Sequence, residues 1–431
     1  MISQIIPNAF EAKKVYNRSM FKSRKNRLYF DYSSRTPIRK EALKDFVQKE
    51  RYFGNSSSIH QNGIEARNII KEAKDIMAKN IGGNSDEILF VSSATLGSNI
   101  FLRGVVLAAK KGGIQNPHVI VSMIEHDSVR GIFDSFEKEG VEVSRVSCDE
   151  YGYINEEEFK NTLKENTVLV SFTYVSNEIG TVQNIKEISK IIRNFKKETL
   201  KRKEGGKLSE TLDRNFHYPA FFVDACQASC YMDLDTKTLG VDGMILNSSK
   251  CYGPTGASML FVKNSTPITP IVWGGKDEED LYPGTISPSL VHAFAVAIDE
   301  TRKNMTRDIE KISKLRDRFE KEIQTKSSDR IEILGKKDGF SRSPSISGIF
   351  IKGIQSELMV IEMDERGISI SSGSACRSSE EEIARIVPAI GKDPKHDDGF
   401  VRISFGRENT DKDVDVLVEN FLDILDKYEI S

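Results

Sequence analysis

The chain has 431 residues, 62 Lys and Arg against 64 Asp and Glu, a formal net charge of -2, and 38% hydrophobic residues. Such a chain is long enough for two or three domains around a large core, and its composition excludes a disordered protein. No global basic excess points to nucleic acid or an anionic membrane, and no apolar run approaches the ~20 residues that cross a bilayer.

The opening stretch, Met1 to Pro7, is a short apolar patch with no basic leader, so it is not read as a signal peptide. The five cysteines (Cys148, Cys226, Cys230, Cys251 and Cys376) are few, odd in number and lack a CxxC pair. They fit free thiols in a reducing, cytoplasmic setting better than a disulfide framework. The six histidines show no HxxxH or HExxH spacing, so no metal site is expected.

In chain order, Ile64 to Ile81 has helical spacing, and Glu87 to Val91 is an apolar, strand-like run. Ser92-Ser93-Ala94-Thr95 then opens a helix-like stretch. Strand-like runs follow at Val119–Ser122, Val168–Phe172, Phe221–Asp224, Met244–Leu246 and Met259–Val262, with helical spacing at Ser128–Glu139 and Ile185–Phe195 between them. This alternation predicts a mostly parallel sheet covered by helices on both faces. From Lys196 to Arg214 the chain is polar and has no apolar face, which reads as a solvated surface insertion over about 196–217. After residue 288 a long polar helix, Val291 to Lys326, leads to strand-like runs at 331–334, 346–351, 368–370 and 401–404, with helices at 356–365 and 411–425. The expected organisation is a large domain over 37–288 and a smaller α/β domain over 1–36 and 289–431.

Lys250 follows a buried-looking strand and precedes Tyr252-Gly253-Pro254, at a strand end where open parallel sheets bind ligands. A lysine there can form a Schiff base with an aldehyde, although most strand-end lysines are simply exposed. Asp224 ends another apolar strand, where a protonated pyridine nitrogen would suit it; a cap for the following helix explains it equally well. Ser92 to Thr95 can hold a phosphate at a helix start or act as a plain N-cap.

Taken together these segments resemble, in order, the cysteine desulfurases of the NifS/IscS kind within the class V aminotransferase family. The resemblance runs from Tyr29 to about Leu425. It rests on Leu28-Tyr29-Phe30-Asp31 with Thr36-Pro37, Ile124-Glu125-His126, Ser176 to Thr181, Asp224-x-x-Gln227, Lys250-x-Tyr252-Gly253-Pro254, Gly284-Thr285, Ser371 to Cys376 and Val401 to Arg407. It implies pyridoxal 5'-phosphate as cofactor and the PLP-dependent transferase fold type I, an α/β architecture whose large domain holds a mostly parallel seven-stranded sheet. Lys250 would bind the cofactor and shuttle protons, Asp224 would pair with the pyridine nitrogen, and Gln227 and Asn177 would lie at the ring hydroxyl. His126 would stack on the ring. Ala94, Thr95, Asn247 and Ser249 would hold the cofactor, helped by Thr285 from a second subunit of a homodimer. Arg402, with Asn177, would bind the substrate carboxylate. Cys376, in a Ser/Gly-rich loop expected to be mobile, would take sulfur from L-cysteine as a persulfide and pass it to an acceptor protein for iron–sulfur clusters, tRNA thiolation or DNA phosphorothioation. The other four cysteines read as packing residues. Alternatives are another class V enzyme, such as a selenocysteine lyase or an aminotransferase, or a silent scaffold of the same fold.

The sequence departs from that pattern in places. Ser249 stands where the family has His, and Leu96 follows Thr95 where an acid is usual. Asp277-Glu278-Glu279-Asp280 replaces a Gln-Glu-Arg-Gly segment before Gly284, and Ser33-Ser34-Arg35 replaces Ala-Ala-Thr near the site entrance.

Overall fold

The computed structural model describes residues 27–204, 218–275, 280–335, 341–373, 384–396 and 398–428. In chain order the elements are β1 (Leu28–Tyr29), α1 (Lys40–Lys49), α2 (Gln61–Ile81), β2 (Ile88–Val91), α3 (Ala94–Lys111), β3 (His118–Ser122), α4 (Asp127–Lys138), β4 (Glu142–Val146), α5 (Glu156–Thr162), β5 (Thr167–Thr173), α6 (Ile185–Glu204) and β6 (Ala220–Asp224). They continue with α7 (Thr236–Leu239), β7 (Gly243–Asn247), β8 (Ser258–Val262), α8 (Pro288–Ser327), β9 (Ile331–Leu334), β10 (Ile346–Ile351), α9 (Ser356–Glu365), β11 (Ile368–Ser369), α10 (Ile386–Ala389), β12 (Gly399–Ser404) and α11 (Asp411–Lys427).

Seven strands form the central sheet in the order β2-β8-β7-β6-β5-β3-β4. β8 is antiparallel to both its neighbours, and the other pairs are parallel. The α/β fold with a mostly parallel seven-stranded sheet is therefore as the sequence implied. The inner strands are buried along nearly their whole length, which is why they appear in the sequence as unbroken apolar runs. Alternate residues of one strand serve opposite faces: Ile88 and Phe90 of β2 join one apolar core, Leu89 and Val91 the other.

The second sheet is antiparallel, β12-β10-β9, and β1 pairs in parallel with β11 beside it. The Ser404 N–H donates to the Phe30 carbonyl at 2.7 Å, so the start of the described chain lies along β12. Helix α8 has 40 residues, about 60 Å of helix. Its first half buries Val291, Phe294 and Ile298 against the central sheet, and its second half buries Ile312, Phe319 and Ile323 in the smaller core. Pro288 at its first turn and the Ser287 hydroxyl, which accepts from the Leu290 N–H, set where it begins.

The polar stretch after Lys196 differs from the expected insertion. Helix α6 continues to Glu204, and Lys196 is mostly buried, 3.6 Å from Asp242, so the stretch starts as packed helix. An ammonium on a long apolar stem can cover a core edge and still reach a carboxylate, which the composition does not reveal. Residues 205–217 lie outside the described residues. Among the described residues no helix is long and apolar enough to cross a membrane.

Candidate active site

β2, β3, β5, β6 and β7 end on the same edge of the central sheet, and their following turns surround a cavity of about 400 Å³. This is the strand-end crevice where open α/β sheets take ligands. The cavity wall receives Ser93, Ala94 and Thr95 after β2, His126 after β3, Asn177 after β5, Asp224 and Gln227 after β6, and Asn247, Ser249 and Lys250 after β7. Ser33 and Ser34 enter from the N-terminal side and Arg402 from β12. The structure thus brings together the sequence-selected residues, with two exceptions. Thr285 is exposed and does not line this cavity. Cys376 lies in 374–383, outside the described residues, and Asp277 to Glu279 also fall outside them.

Lys250 closes a 3-10 turn that directly follows β7. Its Nζ donates to the carbonyl oxygens of Ser33 at 2.7 Å and Ser34 at 2.6 Å. Burial holds the amine below its ordinary proton affinity, and the Arg402 guanidinium adds to the effect. Asp224 ends β6 with 7% exposure, and its Oδ1 accepts from the Cys226 N–H at 3.0 Å. His126 caps helix α4: its Nδ1 accepts from the Ser128 N–H at 3.1 Å, which places the proton of the neutral ring on Nε2. Ser93 caps α3, its hydroxyl accepting from the Leu96 N–H at 3.2 Å. The first N–H groups of a helix have no carbonyl partner within it, and the dipole adds positive character, so this end of the wall suits a phosphate. Ser249 is turned inward, its N–H and hydroxyl both donating to Asn247 Oδ1, at 2.9 and 2.8 Å. Gln227 Nε2 donates to the Ser33 carbonyl at 2.8 Å.

Arg402 is 4% exposed. Its Nη2 donates to Asp31 Oδ1 and to the Ser34 hydroxyl, both at 2.7 Å, and Nη1 donates to the Asn177 carbonyl at 3.0 Å. Several wall residues were not picked out as site residues from the sequence, Ser33, Ser34, Glu125 and Arg385 among them. Ser33 and Ser34 meet Lys250 through backbone carbonyls, which carry no residue-type signal, though they do sit in the segment quoted before Thr36-Pro37. Glu125 is buried beside His126. Arg385, which precedes α10, lines the cavity and donates from Nη1 to Asp127 Oδ1 at 3.2 Å. Cys226, read as a packing residue, is buried but belongs to the cavity wall.

The donor set fits pyridoxal phosphate: a half-buried amine of lowered proton affinity, a carboxylate at a strand end, and a helix N-terminus share one cavity of suitable size. Among the described residues no cluster of three His, Cys, Asp or Glu is arranged to hold a metal ion.

Residues 28–200 and 212–417 match the family described as aminotransferase class-V. The cysteine desulfurase IscS of Dictyoglomus turgidum is 31% identical over 406 residues, covering 94% of this chain and 95% of that protein. IscS 1 of Archaeoglobus fulgidus is 31% identical over 393 residues, covering 91% and 95%. Among solved structures, a NifS-like protein superposes with a TM-score of 0.81 at 24% identity, covering 93% of this chain and all of the other, which supports the fold. The chain belongs to the class-V aminotransferase family, whose members here are cysteine desulfurases dependent on pyridoxal phosphate.

Proposed function

We propose that this chain takes sulfur from L-cysteine, releasing L-alanine and leaving a persulfide on Cys376 for transfer to an acceptor protein, iron–sulfur cluster assembly being the destination its IscS relatives suggest. The observation that carries the reading is the half-buried Lys250 amine, set in one cavity with Asp224, His126 and Arg402.

Lys250, Asp224, Gln227, Asn177, His126, Ala94, Thr95, Asn247 and Ser249 would hold the cofactor, joined by Thr285 of a second copy in a homodimer. When bound, pyridoxal phosphate supplies an electron-accepting ring that stabilises negative charge at the substrate Cα. Lys250 holds and returns the proton that leaves Cα, a task suited to an amine whose burial lowers its proton affinity. Asp224 offers a carboxylate to a cationic ring nitrogen. Arg402 takes the substrate carboxylate: its Nε is buried without a hydrogen-bond partner among the described residues, leaving one donor unspent. His126 presents Nε2–H from the cap of α4. Gly373 lies in the cavity wall three residues before Cys376, a separation that spans at most about 10 Å of extended chain. The Cys376 thiolate attacks the substrate sulfur, the C–S bond breaks, and its electron pair stays with the three-carbon product, which takes up a proton to become alanine. A cytoplasmic location is part of the same proposal.

The test is alanine release from L-cysteine by wild type and Cys376→Ala, with mass spectrometry for an added sulfur on Cys376. The reading requires that the variant keep the cofactor absorbance and lose alanine release. Undiminished alanine release would move the chain to the lyases of the family that do not use this thiol.

A further inference from the structure

Glu125 belongs to the Ile124-Glu125-His126 segment, and the reaction proposed above gives it no task. Its side chain is 7% exposed and forms part of the cavity wall. Oε1 accepts from the Ser122 hydroxyl at 2.5 Å and from the Thr173 N–H at 2.7 Å. One oxygen therefore ties the turn after β3 to the end of β5. The other, Oε2, is buried with no hydrogen-bond partner among the described residues. A charged oxygen in that position is far more costly than a neutral acid.

The ionisable groups sharing the wall with it are His126 and Asp127 on its own turn, Glu178 after β5, Asp224 and Cys226 after β6, Lys250 after β7, Arg385 before α10 and Arg402 on β12. Burial pushes the Glu125 carboxyl up to about 8 and the Asp224 charge adds to this, against the pull of Ser122 and Thr173.

We infer that Glu125 is a positioning residue, an uncharged strut that fixes the β3–α4 turn to β5 and holds His126 in the cavity wall. What His126 and Asp224 do in turnover rests on the function proposed above; the strut itself does not. Glu125→Gln keeps the accepting oxygen and the neutral charge, whereas Glu125→Ala removes the tie.

The experiment uses the cofactor-loaded wild type, Glu125→Gln and Glu125→Ala. In wild type, infrared difference spectra across about pH 6 to 9 should show a protonated-carboxyl band lost with a midpoint near 8, and that band should be missing from Glu125→Gln. A carboxyl held above its unfolded value contributes stability that is complete below about 4.5 and is lost as pH rises toward about 8. Glutamine does not titrate, so the Tm of Glu125→Gln minus that of wild type should climb between those limits and level off above them. Glu125→Gln should keep kcat within about threefold of wild type, while Glu125→Ala should lose on the order of tenfold to a hundredfold. A wild type with no such band, a Tm difference that stays flat, or a Glu125→Gln kcat as low as that of Glu125→Ala would each overturn the strut. The infrared titration in wild type needs no variant to fold. If it appears while wild type releases no alanine, the desulfurase reading fails and the strut stands.

Discussion

Arg402 Nη2 meets Asp31 Oδ1 at 2.7 Å across 371 residues of sequence, with 4% of the arginine side chain and 19% of the aspartate exposed. Truncating one partner of a buried pair leaves the other charge uncompensated, so Arg402→Ala should lower the unfolding free energy by about 3–5 kcal/mol in a denaturant titration. If Arg402 Nε–H is the donor the substrate carboxylate takes, the same variant should also raise KM for cysteine by at least about tenfold. Arg402→Lys keeps the charge but not the planar fork, and should fall between the two in both measurements.

Lys250 feels Arg402 as well as burial, and both lower its proton affinity. Replacing Arg402 with Met removes the second effect, so more of the amine is protonated at neutral pH. Covalent capture of pyridoxal phosphate by the apoprotein, followed by its absorbance, should therefore be slower in Arg402→Met than in wild type near pH 7, with the gap closing as pH rises. Lys250→Ala should retain no label after borohydride reduction.

Gly180 has φ +76, and a Cβ there would lie 3.0 Å from Ile346 Cβ and 3.3 Å from Ser343 Cβ. Both strain and crowding oppose a side chain, so Gly180→Ala should cost about 2–3 kcal/mol by denaturation. The turn it terminates presents the Asn177 carbonyl to Arg402. The same variant should therefore raise KM for cysteine more than it lowers kcat.

Burial pushes the thiols of Cys148 and Cys230 up to about 11 and about 12, and those of Cys226 and Cys251 well above the ordinary value. These four should resist iodoacetamide in the native enzyme near pH 7.5, since the thiolate is the reacting form. Peptide mapping should place the first label on Cys376 if that thiol is the sulfur acceptor.

The inner strands were legible because β5 and β6 are covered on both faces and so carry unbroken apolar runs. β4, Glu142–Val146, was not: it sits at the sheet edge with only Val146 buried, so its letters look like loop. At the site, Lys250 and Asp224 stood out by strand-end position and residue type, but only the ordered resemblance to the family singled out their roles and that of His126. The contacts of Ser33 and Ser34 with Lys250 could not be read, since their carbonyls accept there and any residue supplies a carbonyl. Arg385 gave no sign either: its approach to Asp127 depends on how α10 seats Ile386 and Val387 against Ile124 and Ile179, a contact with no local pattern.

The corner formed by Asp31, Ser34 and Arg402 has a consequence for the making of the protein. During translation the first two emerge early and wait through most of the message for their counterpart. A nascent polypeptide that has not yet delivered β12 beyond the ribosomal exit tunnel has the Lys250 amine but lacks the Arg402 side of the cavity.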